Sequence, residues 1–167
     1  AKGNNVPRIK TFLSEVQKGT VCKTIWYRTE VGDTQEGTRD LKSVFGKAGM
    51  FTNPKPIRLI NRILDIASKN NSIVLDFFAG SGTTGHALLK YNAEHADSKR
   101  QFILCTNNEN DICRNVTYER IKRVIANEGY NASLKYFRVG YISITDRMYY
   151  EYADELLLHV RELVELE

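Results

Sequence analysis

The chain has 167 residues, a formal net charge of +4 and 42% apolar residues, which is enough for one domain with a hydrophobic core. No apolar run approaches the roughly 20 residues that a membrane-spanning helix needs, and residues 1–5 lack the apolar core of a secretory signal. Residues 1–70 carry 13 Lys and Arg against 6 Asp and Glu. This excess fits a flank that faces nucleic acid, although solubility explains it equally well. We therefore expect a cytoplasmic protein without membrane contact.

The first 50 residues predict an irregular region with short strand-like pieces, such as the segment 21–27. Pro54 and Pro56 then interrupt the chain, and proline is tolerated in the first turn of a helix. The apolar residues that follow are spaced by three and four, which predicts an amphipathic helix over residues 56–68. These residues are Ile57, Ile60, Ile63, Leu64 and Ala67.

A strand, a helix, a second strand and a second helix follow in the middle of the chain. The continuous apolar runs 73–78 and 101–106 predict buried strands, and the patterns over 82–91 and 111–127 predict helices. This order is typical of a right-handed parallel crossover in a doubly wound α/β sheet. Ligands of such sheets bind outside the carboxyl ends of the strands, where residues 80–82 form a loop.

The C-terminal third carries weaker signals. Residues 134–144 alternate enough for a strand or hairpin, and residues 148–167 predict an acidic helix with an apolar stripe. We therefore divide the sequence into an irregular link over 1–50, an α/β part over 51–145 and an acidic C-terminal helix over 146–167.

The three cysteines predict neither a metal site nor a disulfide framework. Cys22, Cys105 and Cys113 are odd in number and lack the spacing of metal ligands. Unpaired thiols of this kind suit a reducing compartment.

The most informative segment is 74–84, which reads Val-Leu-Asp-Phe-Phe-Ala-Gly-Ser-Gly-Thr-Thr. Gly80 and Gly82 have no Cβ, so a ligand can approach the main chain closely. The amides of the helix that follows point toward electron-rich groups. The segment therefore predicts a binding loop between a strand and a helix.

A dinucleotide-binding fold competes for this loop. Gly80, Gly82 and Gly85 match the G-x-G-x-x-G fingerprint. That fingerprint also expects an acidic residue at the end of the second strand, where Asn107 stands, with Glu109 just past it.

The string at 76–84 resembles the S-adenosylmethionine-binding motif of amino-directed DNA methyltransferases. With Gly85-His86-Ala87 it is most similar to the modification subunits of type III restriction-modification systems. Two further elements, the Lys-Pro element within 51–56 and the second-strand segment 100–104, extend the resemblance over residues 40–125. Residues 37–42 resemble the family's link between the target-recognition region and the donor half.

The resemblance implies a Rossmann-like methyltransferase fold with a partial doubly wound sheet, and S-adenosylmethionine as the cofactor. The loop amides would bind the methionine carboxylate, Asp76 would accept a hydrogen bond from its ammonium, and Phe78 would form an apolar wall. The cofactor-binding residues that it implies are Lys55, Pro56, Asp76, Phe78, Ala79, Gly80, Ser81, Gly82, Thr83, Thr84 and Asn107.

The sequence departs from the family in two respects. At the ribose position many relatives carry an acid where this sequence has Thr106 or Asn107, although a neutral Asn107 can still hydrogen-bond ribose hydroxyls. The second departure concerns catalysis. The family transfers the methyl group with a tetrapeptide of the Asp-Pro-Pro-Tyr type, which does not occur here. We therefore interpret the chain as the C-terminal, donor-binding piece of a longer DNA adenine methyltransferase, without catalytic residues of its own and inactive alone. The full enzyme would act on duplex DNA in a prokaryotic cytoplasm, with a restriction subunit as a possible partner.

The sheet of such a piece would expose an edge and an apolar face, which favours homo-oligomers. Two alternatives of other classes stay open. The three-glycine match and the absent tetrapeptide fit a non-enzymatic nucleotide-binding regulatory domain, and the basic residues 1–70 fit a DNA-contact module. We interpret His86, on the helix after the loop, as a packing residue.

Overall fold

The computed structural model describes residues 12, 14, 19, 21–140, 157 and 160. The chain divides after Leu134 into two units, which are described separately below. No helix within the described residues is both long and apolar enough to cross a bilayer.

The first unit opens with two helices, α1 (Arg28–Val31) and α2 (Thr34–Phe45). The Asp33 side chain caps α2 by accepting a hydrogen bond from the Glu36 backbone N–H at 2.9 Å, which satisfies one free amide of the first turn. Gly46 ends α2 in the left-handed conformation, with φ of 72°.

These helices correct the expectation of an irregular region over 1–50, and residues 21–27 contain no strand. The buried residues of α2 are Gly37, Leu41 and Phe45. Their spacing of four is helical, but glycine and threonine within the segment weaken its helical signal.

Helix α3 (Ile57–Ala67) follows Pro56, which confirms the helix predicted there. The Asp40 carboxylate accepts a hydrogen bond from the Ile57 backbone N–H at 3.3 Å. The start of α3 is therefore held by a side chain of α2.

The central elements are β1 (Ile73–Asp76), α4 (Thr83–Glu94) and β2 (Gln101–Leu104). The two strands pair in parallel, with Ile73 opposite Gln101 and Asp76 opposite Leu104. This confirms the predicted strand–helix–strand unit in a mixed α/β structure. Among the described residues, the sheet consists of these two strands.

A 3₁₀ turn (Glu109–Asp111), a π-helical segment (Cys113–Tyr118) and helix α5 (Glu119–Glu128) complete the unit. The central core residues lie on α4 and α5. They are Leu89, Ile121 and Val124, and partly buried residues including Phe102 and Leu104 pack against them.

The two strands are covered on one face only. Ile73, Leu75 and Ile103 are 63%, 49% and 52% exposed, whereas Phe102 and Leu104 pack toward the core. The prediction of fully buried strands was therefore wrong for this face. The uncovered apolar face agrees with the expectation for a partial sheet, because a parallel sheet normally has helices on both faces.

The second unit comprises residues 135–167. Its residues 135–140 have no regular secondary structure, so the strand predicted over 134–144 is absent from its described part. Leu157 and Val160 are helical and exposed, in agreement with the predicted acidic helix. The rest of that helix lies outside the described residues.

Substitution of Gly37 by alanine should destabilise the protein. A Cβ there would lie 2.3 Å from the Pro54 carbonyl oxygen, so α2 would have to move away. We expect Gly37→Ala to lower the free energy of unfolding by roughly 1–3 kcal/mol, although alanine favours helices by about 1 kcal/mol over glycine. Urea denaturation measures this change.

Gly140→Ala is the matched control, because no atom lies within 4 Å of a Cβ built at Gly140. It should change the free energy of unfolding by less than about 0.5 kcal/mol. A Gly37→Ala variant as stable as this control would contradict the close packing of α2.

Candidate functional site

The segment 77–82 joins β1 to α4 and forms the glycine loop. The Ala79 backbone N–H donates to the Cys105 carbonyl at 3.0 Å, and the Gly82 N–H donates to the Ala79 carbonyl at 2.7 Å. Gly80 and Gly82 have φ of 49° and 73°, a region that L-residues with a Cβ avoid. The two glycines are therefore required by the backbone path itself.

A cavity of about 220 Å³ lies beside this loop, at the carboxyl end of β1, as expected for a doubly wound sheet. It brings together most of the residues that the sequence predicts for the site. The lining residues are Phe51, Asn53, Lys55, Ile60, Asp76, Phe78, Ala79, Gly80, Ser81, Thr83 and Thr84.

Asp76 fixes the loop as well as lining the cavity. One carboxylate oxygen accepts from the Phe78 backbone N–H at 3.0 Å, and the other accepts from the Thr84 hydroxyl at 2.6 Å. Each oxygen has a second lone pair, so the carboxylate retains acceptor capacity toward the cavity. Phe78 is 92% exposed and presents its ring as the apolar part of the wall.

The segment before α3 forms a further part of the cavity wall, through Asn53 and Lys55. The Lys55 carbonyl accepts a hydrogen bond from the Thr83 hydroxyl at 3.3 Å, which ties this wall to the start of α4. Asn53 lines the cavity with φ of 55°, a strained conformation for a residue other than glycine, and one that asparagine tolerates best. Pro56 is buried at the start of α3 and is not among the lining residues.

Two other predicted residues also lie outside the lining. Gly82 is the buried last residue of the loop, and a Cβ there would lie 3.3 Å from Thr117. Asn107 is exposed beyond the end of β2, with its amide 3.4 Å from the Glu109 carboxylate. Their roles toward a ligand stay predictions.

Two residues that the sequence did not indicate support the loop from below. The Thr117 hydroxyl donates to the Gly80 carbonyl at 2.6 Å. The Arg120 guanidinium donates to the Ser81 carbonyl at 3.2 Å and to the Thr83 hydroxyl at 2.9 Å. The one available signal was the position of Arg120 directly before Ile121, at a helical spacing of four from Val124, within the buried stripe of α5.

The side chain of Phe51, a third residue that the sequence did not indicate, limits the space beside the loop. A Cβ at Gly80 would lie 3.0 Å from its ring. Ile60 was predicted only as part of the apolar stripe of α3. Phe51 and Ile60 line the cavity only because of the tertiary fold, which the local sequence pattern does not show.

His86 is buried on α4 and has two partners. Its Nδ1 accepts from the Arg120 Nε–H at 3.3 Å, and its Nε2 lies 3.4 Å from the Glu128 carboxylate. Burial, followed by the positive charge of Arg120, lowers the pKa of His86 to about 4. His86 is therefore neutral at physiological pH, which supports its predicted packing role.

The cavity offers charges of both signs. Acidic Asp76 and basic Lys55 both line it, and the first-turn amides of α4 have no acceptor within the helix. The helix dipole makes this end of α4 favourable for an anion. A zwitterionic α-amino acid, with one cationic and one anionic group, matches this arrangement.

The described residues do not form a metal site. No cluster of three His, Cys, Asp or Glu side chains with ligating geometry occurs among them. Cys22, Cys105 and Cys113 are free thiols.

Comparison with known proteins identifies the family. A model of a family described as DNA methylase matches residues 2–152. The chain belongs to this family. The type III Mod subunit StyLTI of Salmonella typhimurium is 38% identical over 129 residues, and the EcoPI Mod subunit of Escherichia phage P1 is 44% identical over 87 residues. These findings confirm the resemblance to type III modification subunits.

The chain corresponds to a small part of the length of each of these relatives. The matches cover 70% and 52% of the chain but 19% and 13% of the two Mod subunits. The type II methyltransferase M.KpnI of Klebsiella pneumoniae is 31% identical over 107 residues, or 64% of the chain and 25% of that relative. The chain thus spans a quarter or less of each protein's length.

The buried His86 should make stability depend on pH. Its pKa is about 4 in the folded protein against 6.5 as the ordinary value, so the unfolded state binds this proton more readily. The contribution of the neutral His86 to the free energy of unfolding is therefore fully present above about pH 6.5 and is lost as the pH falls toward 4. The loss attributable to His86 should be roughly 3 kcal/mol, measured by urea denaturation at a series of pH values.

In the His86→Gln variant this part of the pH dependence should disappear. His95→Gln is the matched control, because His95 is an exposed histidine at the C-terminal end of the same helix, and this variant should keep the pH dependence of the unaltered protein. Equal pH profiles for the His86→Gln variant and the unaltered protein would contradict the burial of a neutral His86.

Proposed function

We propose that this chain is the S-adenosylmethionine-binding part of a DNA adenine methyltransferase of the type III modification class. One observation carries the proposal. The cavity at the carboxyl end of β1 is lined by Asp76, by Lys55 and by Thr83 and Thr84 at the N-terminus of α4. Membership of the DNA methylase family favours a methyl donor over other ligands of this charge pattern.

The residues fit the amino-acid half of the donor. Asp76 would accept a hydrogen bond from the ammonium through its free lone pairs, while the amides of Thr83 and Thr84 would bind the carboxylate. Gly80 keeps the main chain open to close approach, and Phe78 would cover an apolar part of the ligand. The bound donor supplies a methyl group on a positively charged sulfur.

The cavity suits only part of the ligand, because pockets for whole drug-sized molecules have volumes of about 300–1,000 Å³. We propose that the adenosine half lies toward the end of β2, near Asn107, which would hydrogen-bond the ribose hydroxyls. Pro56 would shape the cavity wall near Lys55 indirectly, by fixing the start of α3.

The fold belongs to the same proposal. β1, α4 and β2 would form one crossover of a Rossmann-like doubly wound sheet, and the exposed face at Ile73, Leu75 and Ile103 would be covered in a longer protein or by self-association. In that protein the target adenine would be flipped out of duplex DNA. A restriction subunit is a further proposed partner, and the bacterial cytoplasm is the proposed location.

A nucleotide-binding regulatory domain is the second candidate, because Gly80, Gly82 and Gly85 fit the dinucleotide fingerprint. The family match does not favour it. Glu109, the acidic residue nearest the end of β2, lies in an exposed 3₁₀ turn and contacts Asn107.

The 167-residue chain should bind S-adenosylmethionine, and Gly80→Ala should weaken that binding. A Cβ at Gly80 both enters the cavity wall and approaches the Phe51 ring to 3.0 Å. We expect a loss of about tenfold or more, equivalent to roughly 1.4 kcal/mol, in calorimetric titrations. NAD should not bind detectably.

Gly46→Ala is the matched control, because Gly46 also has a positive φ but no atom within 4 Å of its Cβ position. Both variants carry a backbone strain of roughly 1–2 kcal/mol, so only Gly80→Ala tests the cavity. Tighter binding of NAD than of S-adenosylmethionine would refute the proposed function.

The chain alone should not methylate DNA, because it lacks the Asp-Pro-Pro-Tyr tetrapeptide with which the family positions the target amino group. Incubation of the chain with a methyl-labelled donor and duplex DNA should leave no label in the DNA. Addition of a protein that carries the tetrapeptide provides the positive control. Label transfer by the chain alone would show that another residue positions the base.

A further inference from the structure

Arg120 is the largest fully buried side chain in the described part of the protein, with an exposure of 0%. A buried guanidinium normally pairs with a carboxylate, because an uncompensated charge in the protein interior is costly. Among the described residues Arg120 forms no ion pair within 4.0 Å. Its neighbours therefore do not neutralise it directly.

The partners of Arg120 are neutral. They are the imidazole of His86, the carbonyl and hydroxyl oxygens of Ser81, and the hydroxyl of Thr83. Its Nη2 has no hydrogen-bond partner among the described residues. Asp40 is the one acid that acts on its charge, and it does so through space.

Arg120 retains its positive charge despite burial. Desolvation lowers its pKa to about 10, which still lies well above physiological pH. The low pKa of His86 has the same origin in part, since the Arg120 charge disfavours a second cation beside it. The protein thus keeps one fixed positive charge under the glycine loop.

This charge is one hydrogen bond away from the cavity. Ser81 and Thr83 are themselves 3% and 5% exposed, yet both line the cavity, and Arg120 donates to both. In a buried region the field of a charge is screened little by salt. The dipole of α4 adds to it with the same sign.

We propose that Arg120 is a positioning residue that selects for a ligand carboxylate: it holds Ser81 and Thr83 in the binding conformation, and its counter-charge is the carboxylate of the donor's amino acid. The inference rests on the proposed function, because it names the part of the donor that Arg120 acts on. It gives a reason for a buried cation whose desolvation is otherwise costly.

Two ligands that share the thioadenosine separate this role from general support of the loop. S-Adenosylhomocysteine carries the amino acid and its carboxylate, whereas 5′-methylthioadenosine lacks both. Calorimetric titration of the unaltered 167-residue chain should show at least tenfold tighter binding of S-adenosylhomocysteine. Equal affinities would overturn the inference without any variant, while absence of binding by both would count against the proposed function itself.

The variants Arg120→Gln and Arg120→Lys then separate charge from hydrogen bonding. Arg120→Gln should weaken S-adenosylhomocysteine binding about tenfold, as expected for loss of a nearby buried charge, and change 5′-methylthioadenosine binding less than twofold. Arg120→Lys keeps the charge and should recover most of the lost affinity. Arg123→Met, which removes a half-exposed positive charge from the same helix, should leave both affinities unchanged.

Thermal melts of each variant identify those that remain folded. A folded Arg120→Gln variant that loses affinity for both ligands equally would show that Arg120 only supports the loop, and would overturn the inference. Equal losses in Arg120→Gln and Arg120→Lys would do the same, because they would assign the effect to the shape of the guanidinium rather than to its charge.

Discussion

The site depends on hydrogen bonds that hold the glycine loop from below. The loop runs through two left-handed glycines, and such a backbone persists only where its carbonyl groups find donors. Thr117 supplies the donor for the Gly80 carbonyl, and Arg120 supplies the donor for the Ser81 carbonyl. Because the π-helical segment turns into α5 between these two residues, a local irregularity of the helix directs both toward the loop. π-Helical turns are frequent at functional sites.

The part of the cavity wall that Asn53 and Lys55 form depends on a second constraint, the close contact between α2 and the segment before α3. Gly37 leaves no space for a Cβ against the Pro54 carbonyl, and Asp40 caps α3 through the Ile57 amide. The Lys55 carbonyl then meets the Thr83 hydroxyl. Residues 37–42, which resembled a link between regions, thus belong to the scaffold of the site itself.

Local sequence patterns were sufficient to predict β1, β2 and α3. The apolar runs at β1 and β2 and the spacing of three and four in α3 identified those elements, because strand and helix periods are properties of neighbouring residues. The glycine string likewise identified the loop.

Arg120 could not be placed in this way, since its partners are 34–39 residues away. Helix α2 was not predicted, because glycine and threonine lower the helix propensity of the segment and because tertiary packing of its buried residues stabilises it. The open sheet face depends equally on what lies opposite the strands, which no run of adjacent residues can reveal.

The position of the cavity makes the proposed binding of a donor separable from the proposed transfer to a base. All lining residues fall between Phe51 and Thr84, and the supporting donors fall between Thr117 and Arg120. None of them lies on the exposed sheet face formed by Ile73, Leu75 and Ile103. Covering that face would add stability through apolar burial, but it would not complete the cavity. The proposed donor site can therefore be tested by itself, whereas the proposed transfer step needs a further group that positions the target amine.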